Sequence, residues 1–357
     1  MAAAGPSSTA PVDPVVCVRD ACYHGKMLAL KRLTAEGALA DAFAAEAAGD
    51  EGSTTRSLLY LAAMRGHVPV VSFLLAQGAQ PDVYGMEASA AFVSPLHVAA
   101  QNGYAGVVAK LLAAGAEPDA RGGRSPGCSP LYAASQNGHV DVITALLDFG
   151  ADPMCPWSPG SALWAAVQHK HLAAVLRLAD SPRVDLSAGC GGTSPLYLAC
   201  QMGWVECVKV LLMRGADAGV ASRESGATPL LVAVQQGHVA VAQELLSDSR
   251  RRCDPNAVEP SRGMAALHFA CSRGTPAMLR LLLSKGADPA LCDSAGSMPL
   301  AHAAASGNVE AVRAMVAARA PLGGGPNAWV SPTEIARRQR HASVCRVLDA
   351  AVACSRG

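Results

Sequence analysis

The sequence carries no excess of either charge: 29 Lys and Arg stand against 28 Asp and Glu, a formal net charge of +1 over 357 residues. No long-range field draws such a chain to DNA, RNA or an anionic membrane, so nucleic acid is not an expected partner. Nor is there a run of 18 apolar residues, and Met1 to Pro14 has neither the basic start nor the apolar centre of a secretory signal. No membrane insertion is expected, and the expected location is the cytoplasm, with the nucleus also open. The 12 cysteines include no C-x-x-C, and the nearest pair, Cys17 and Cys22, joins no His or Cys cluster of zinc spacing. Cys200, Cys207 and Cys271 are expected as reduced core thiols. A P-loop, an H-E-x-x-H and a G-x-G-x-x-G with its acidic partner are all missing. Catalytic residues, metal ligands and cofactor are therefore each expected to be none, and the chain is expected not to be an enzyme.

What the sequence does have is repetition. In Ser194–Asp217, Ser194 is placed to cap a helix, Pro195 takes the first helical position, and Leu196 and Ala199 share a face. Gly203 breaks that helix. Val205, Val208, Leu211 and Leu212 then form a second stripe, closed by Gly215 just past its C-terminus. The place of Leu196 recurs at Leu59, Leu96, Leu131, Leu163, Leu230, Leu267, Leu300 and Thr333, at intervals of 32 to 37 residues. One such unit cannot bury its own apolar face, so neighbours must stack into one elongated body.

Ser94-Pro95-Leu96-His97-Val98-Ala99, Thr228-Pro229-Leu230-Leu231-Val232-Ala233 and the closing Gly150-Ala151-Asp152 and Gly286-Ala287-Asp288 resemble the ankyrin repeat, with its Thr-Pro-Leu-His-x-Ala pattern and period of about 33. The resemblance implies an all-α fold, an ankyrin-repeat solenoid of helix-turn-helix pairs with β-hairpin fingers. Residues 1–14 read as a disordered tail and 15–55 as a degenerate capping repeat with an Ala-rich insertion, helix then loop. Eight repeats follow over 56–320, then a closing repeat over 321–350 and a tail over 351–357. Val18, Ala21, Gly25, Leu28, Leu30 and Leu33 set the register of the first cap. Repeat four replaces its turn glycine with His169-Lys170-His171 and its closing glycine with Asp180-Ser181-Pro182, so loosening is expected there.

Such a fold implies a non-enzymatic scaffold or adaptor, monomeric, binding another protein of unidentified kind. Five residues past the key Leu, consecutive repeats carry Gln101, Gln136, Gln168, Gln201 and Gln235, next to Asn102, Asn137 and His169. In proteins resembling this one that place faces the concave surface, where uncharged amides can meet an extended peptide. Glutamine is equally a soluble, helix-compatible residue, so the row stays open between a binding surface and family background. Trp157, in a Pro- and Ser-rich finger, is the candidate anchor, with Tyr84 and Phe92 behind it. Trp164 and Trp204 are expected half-buried at places where His is usual. His67, His97, His139, His238 and His268 read as satisfying turns and backbone, and Arg250-Arg251-Arg252 as a solvated loop. Asn256 resembles the finger asparagine hydroxylated in some ankyrin proteins. Ser-Pro-Leu-Tyr-Leu-Ala-Cys with Glu206-Cys207-Val208-Lys209 also resembles the ankyrin and SOCS-box family, which implies an alternative role as a substrate-recognition subunit of a ubiquitin ligase. No SOCS box is expected in so short a stretch after the closing repeat.

Overall fold

The computed structural model describes residues 13–48, 57–83, 85–86, 92–122, 127–156, 158–247, 253–323 and 330–356. These fall into two compact units, 1–184 and 185–357.

In the first unit, α1 (Pro14–Tyr23) and α2 (Met27–Ala35) form the opening pair. α3 (Ala38–Ala48) follows in the insertion and packs on both, burying Ala38, Leu39 and Ala42. Four regular pairs come next: α4 (Leu58–Met64) with α5 (Val68–Ala76), α6 (Pro95–Gln101) with α7 (Ala105–Ala113), α8 (Pro130–Asn137) with α9 (Val140–Asp148), and α10 (Ala162–Gln168) with α11 (Leu172–Ala179). First helices pack in the succession α1, α4, α6, α8, α10, and second helices in the succession α5, α7, α9, α11. The finger before α6 is a true hairpin, β1 (Gly85–Met86) against β2 (Phe92–Val93), with Gly85 opposite Val93 and Met86 opposite Phe92. The next finger is pinned by one antiparallel bridge, Gly122 to Cys128.

The second unit repeats the plan with α12 (Pro195–Gln201) and α13 (Val205–Met213), α14 (Pro229–Gln236) and α15 (Val239–Leu245), α16 (Ala266–Arg273) and α17 (Pro276–Ser284), α18 (Pro299–Ala305) and α19 (Val309–Ala317), and α20 (Pro332–Arg338) and α21 (Ala342–Arg356). Here too first helices stack on first helices and second on second. Two fingers reduce to single bridges, Cys190 to Thr193 and Val258 to Ala265.

These helices are only 7 to 9 residues long in most repeats, too short to persist alone, and they form because their ends are capped and their faces covered. The hydroxyl of Ser194 accepts the Tyr197 N–H at 3.1 Å, and Ser94, Ser129, Ser161 and Thr228 do the same for the backbone three residues on. Each such cap contributes about 1 kcal/mol. The stripes close the core: Leu96, Leu131, Leu163, Leu196, Leu230, Leu267 and Leu300 are all at most 1% exposed. Cys200, Cys207 and Cys271 are fully buried within it, and burial pushes the Cys207 and Cys271 thiols up to about 12. Fingers are stapled through the closing Asp: the Asp152 N–H donates to Asp119 at 2.9 Å and the Asp288 N–H to Asn256 at 2.8 Å.

Several expectations need correction. Leu28 does not join the core of the opening pair; it is 87% exposed, while Leu30 is buried. Residues 351–356, read as a tail, continue α21. Repeat four is not loosened. Ser161 caps α10, Lys170 takes up the left-handed backbone at φ 59° that glycine holds in neighbouring repeats, and the His171 N–H reaches the Ala166 carbonyl at 3.0 Å.

That substitution carries a cost, because a Cβ in the left-handed region meets its own backbone. Replacing Lys170→Gly is expected to raise the urea midpoint, a gain of about 1 kcal/mol. Gly203→Ala should do the reverse and lose about 1–2 kcal/mol, since Gly203 has φ 69° and a Cβ there lies 2.7 Å from His238 Cε1. Equal midpoints for the two variants refute the assignment.

Candidate protein-interaction site

The Gln row lies at the C-terminal ends of first helices, and in each unit it is anchored by its backbone rather than by its amides. Gln101, Gln168 and Gln201 end α6, α10 and α12, while Gln136 and Gln235 are the last but one residues of α8 and α14. A helix leaves its last carbonyls without partners, and here the following repeat supplies a donor. His139 Nε2–H donates to the Gln101 carbonyl at 3.0 Å, His171 to that of Gln136 at 3.0 Å, and His238 to that of Gln201 at 3.2 Å. The imidazoles at these turns thus satisfy backbone. The five side-chain amides hydrogen-bond to no described residue; Gln101, Gln168 and Gln201 are exposed, Gln136 and Gln235 half-buried.

The neighbours of the row divide. Asn102 Nδ2 donates across the repeat boundary to the Met64 carbonyl at 3.2 Å, and Asn137 Nδ2 folds back on Ala133 at 2.9 Å, so both amides are engaged in the scaffold. His169 is exposed. Trp157, Tyr84 and Arg250-Arg251-Arg252 lie outside the described residues, as do the side chains of Met86 and Phe92. Trp164 and Trp204 are half-buried, as expected. Asn256 is held by the next repeat, Nδ2 donating to the Gly286 carbonyl at 3.2 Å.

In the second unit Gln235 opens into a groove of about 380 Å³ that the sequence pattern did not single out. Tyr197 and Phe269 supply aromatic surface from α12 and α16, and the fingers bring Glu224, Glu259 and Arg262. Glu259 is 6% exposed and already committed: its carboxylate accepts the Ser261 N–H and hydroxyl and the Arg262 N–H. Glu224 and Arg262 stand exposed at the rim. No sequence signal marks this groove, because Tyr197 and Phe269 occupy ordinary repeat places and only folding sets the fingers over them.

Further along that unit, His268 links helix to finger. Its Nδ1 accepts the Ala265 N–H at 3.1 Å, and Nε2–H donates to the Ser297 carbonyl at 3.2 Å, which fixes a neutral ring. His302 meets it edge-on at 5.3 Å and donates to Asp293 at 2.9 Å. Burial, reinforced by the nearby His302, holds the His268 pKa below 6.5. The string Gly123-Arg124-Ser125-Pro126-Gly127 has the letters of a G-x-S-x-G nucleophile motif; its residues 123–126 lie outside the described residues, between the bridged Gly122 and Cys128. Among the described residues no three His, Cys, Asp or Glu side chains are placed to hold a metal, and no helix is long and apolar enough to cross a membrane.

Stacked helix pairs, glycine turns and capped Pro-Leu starts define an ankyrin-type array, and comparison with known proteins agrees. A family profile described as "Ankyrin repeats (3 copies)" matches residues 19–122, 96–190, 163–259 and 249–323. The chain belongs to the ankyrin repeat family. It is 34% identical over 170 residues to the B-cell lymphoma 3 protein homolog of Mus musculus, covering 46% of this chain and 37% of that protein. It is 37% identical over 105 residues to Probable E3 ubiquitin-protein ligase XBOS33 of Oryza sativa subsp. japonica, covering 29% of this chain and 19% of the other. The chain therefore spans well under half the length of these relatives. Among solved structures, the human ASB11 ankyrin repeat domain superposes with a TM-score of 0.51 at 25% identity, over 64% of this chain and 96% of that one.

The His268 geometry makes stability depend on pH with a definite sign. A ring whose folded pKa lies below its unfolded 6.5 takes up its proton more readily when unfolded, so its contribution is complete above 6.5 and is lost as pH falls toward the folded value. The wild-type denaturation midpoint is expected to fall below about pH 6.5 more steeply than that of His268→Gln, in which this titration is gone. Parallel curves refute it.

Proposed function

We propose that the chain is a non-enzymatic protein-binding module that holds a partner protein on the first-helix side of its repeats and on the adjoining fingers. One observation carries the reading: Gln235, its amide bonded to no described residue, opens into a groove with aromatic walls and exposed charges of both signs at the rim. An amide offers two donors and an acceptor without a desolvated charge, which suits the backbone of an extended segment. Tyr197 and Phe269 supply the apolar contact. Gln101, Gln136, Gln168 and Gln201 extend this role, with His169 beside them and Trp157 as a finger anchor; Asn102 and Asn137 act by holding the turns. The protein acts as a monomer, as an adaptor or scaffold in the cytoplasm, with the nucleus also open.

A second reading, a substrate-recognition subunit of a ubiquitin ligase, draws support from the likeness to a protein named as an E3 ubiquitin-protein ligase. Affinity capture from native cells with mass spectrometry separates the two, since recovery of elongin or a cullin favours the second. In the same experiment, Gln136, Gln168, Gln201 and Gln235 changed together to Glu are expected to lower partner recovery at least about tenfold, as each carboxylate loses its donors. Helicity by circular dichroism should be unchanged. Undiminished recovery removes the row from the function.

A further inference from the structure

The last helix departs from its repeat. By the 33-residue period, Ala342 matches Val309 and Ala350 matches Ala317, where α19 ends, yet α21 continues to Arg356. The added turns and the end of α19 enclose an open groove of about 790 Å³, on the second-helix layer and away from the Gln row. Its apolar lining comes from Val316, Leu322 and Val347, together with the small residues Ala320, Ala350 and Ala351. No Asp or Glu lines it, and its single charge is Arg319. Arg319 ion-pairs with no described residue and sits at φ 56°, where most repeats have Gly, for example Gly150, Gly215 and Gly286. A cation on strained backbone thus lines an otherwise apolar groove.

We propose that this groove docks an amphipathic α-helix of a partner protein, its apolar stripe against α19 and α21 and an acidic residue at the edge of that stripe paired with Arg319. A helix fits better than an extended strand because, apart from Arg319 and Cys354, the side chains lining the groove are all apolar. A strand would bury its backbone unsatisfied, whereas a helix satisfies its own. The three alanines permit close approach of a helix ridge. The missing acid and unpaired Arg319 select a partner with negative charge. This surface is separate from the first-helix site and does not rest on it.

The test uses the full chain and a fluorescein-labelled helical peptide of about 16 residues, with Leu at i, i+4, i+7 and i+11 and a flanking Glu. Anisotropy is expected to give a Kd of about 10 µM or tighter. Arg319→Gly, which also relieves the backbone and so does not threaten folding, should weaken binding about tenfold, and Arg319→Glu should restore affinity for the Lys counterpart of the peptide. Bound peptide should protect Cys354, an exposed thiol lining the groove, from maleimide, read by mass spectrometry. The Gln-row variant should bind the peptide normally, which keeps failure here distinct from failure of the first-helix site. Three results overturn the proposal: no binding at millimolar peptide, equal binding by Arg319→Gly with Cys354 still labelled, or protection of Cys354 by a long-chain fatty acid or by self-association instead.

Discussion

Short helices end in carbonyls they cannot satisfy, and in this protein the neighbouring repeat supplies the missing donor. His67 reaches the Tyr23 carbonyl at 3.0 Å, Asn308 that of Gly274 at 3.2 Å and His341 that of Ala305 at 3.1 Å, as His139, His171 and His238 do for the glutamines. Each bond is modest by itself, but an unpaired carbonyl in a covered turn is costly. The same side chain therefore sets the register of a repeat against the one before it. It also explains the turn glycine: at Gly138 a Cβ would stand 2.5 Å from His171 Nδ1, so the close ring and the left-handed backbone require the same residue.

This division of labour leaves particular groups available for recognition. Asn102, Asn137 and Asn256 look like surface amides in the sequence, yet each spends its hydrogen bonds on the scaffold. The glutamine amides do not; at Gln101, Gln136 and Gln201 it is the backbone carbonyl that takes the bond from the next repeat. The rim of the Gln235 groove follows the same logic, since Glu259 organises its own finger turn while Glu224 and Arg262 remain at the surface.

Much of the array can be read directly from the chain because its signals are local. Ser194-Pro195-Leu196 announces a capped helix, Gly203 its end and Gly215 the end of the second, and α12 and α13 lie where those residues put them. Second-helix stripes are less exact: Val205 is half-exposed, while Cys207 is fully buried, as its core-like place implied. Repeat four looked weak because its turn lacks glycine, but His171 and the Ser161 cap hold Lys170 in a conformation it would not choose. Local preference yields there to contacts with neighbouring repeats.

By itself, then, the sequence determined the period, the capped two-helix unit, the buried leucines and the ankyrin family, since all of these depend on residues within one period of each other. Tertiary structure alone decided the division at residue 184, the setting of fingers over Tyr197 and Phe269, and the groove beside Arg319. The reason is physical: a groove is the space left between elements, and its walls come from repeats whose separate patterns are ordinary.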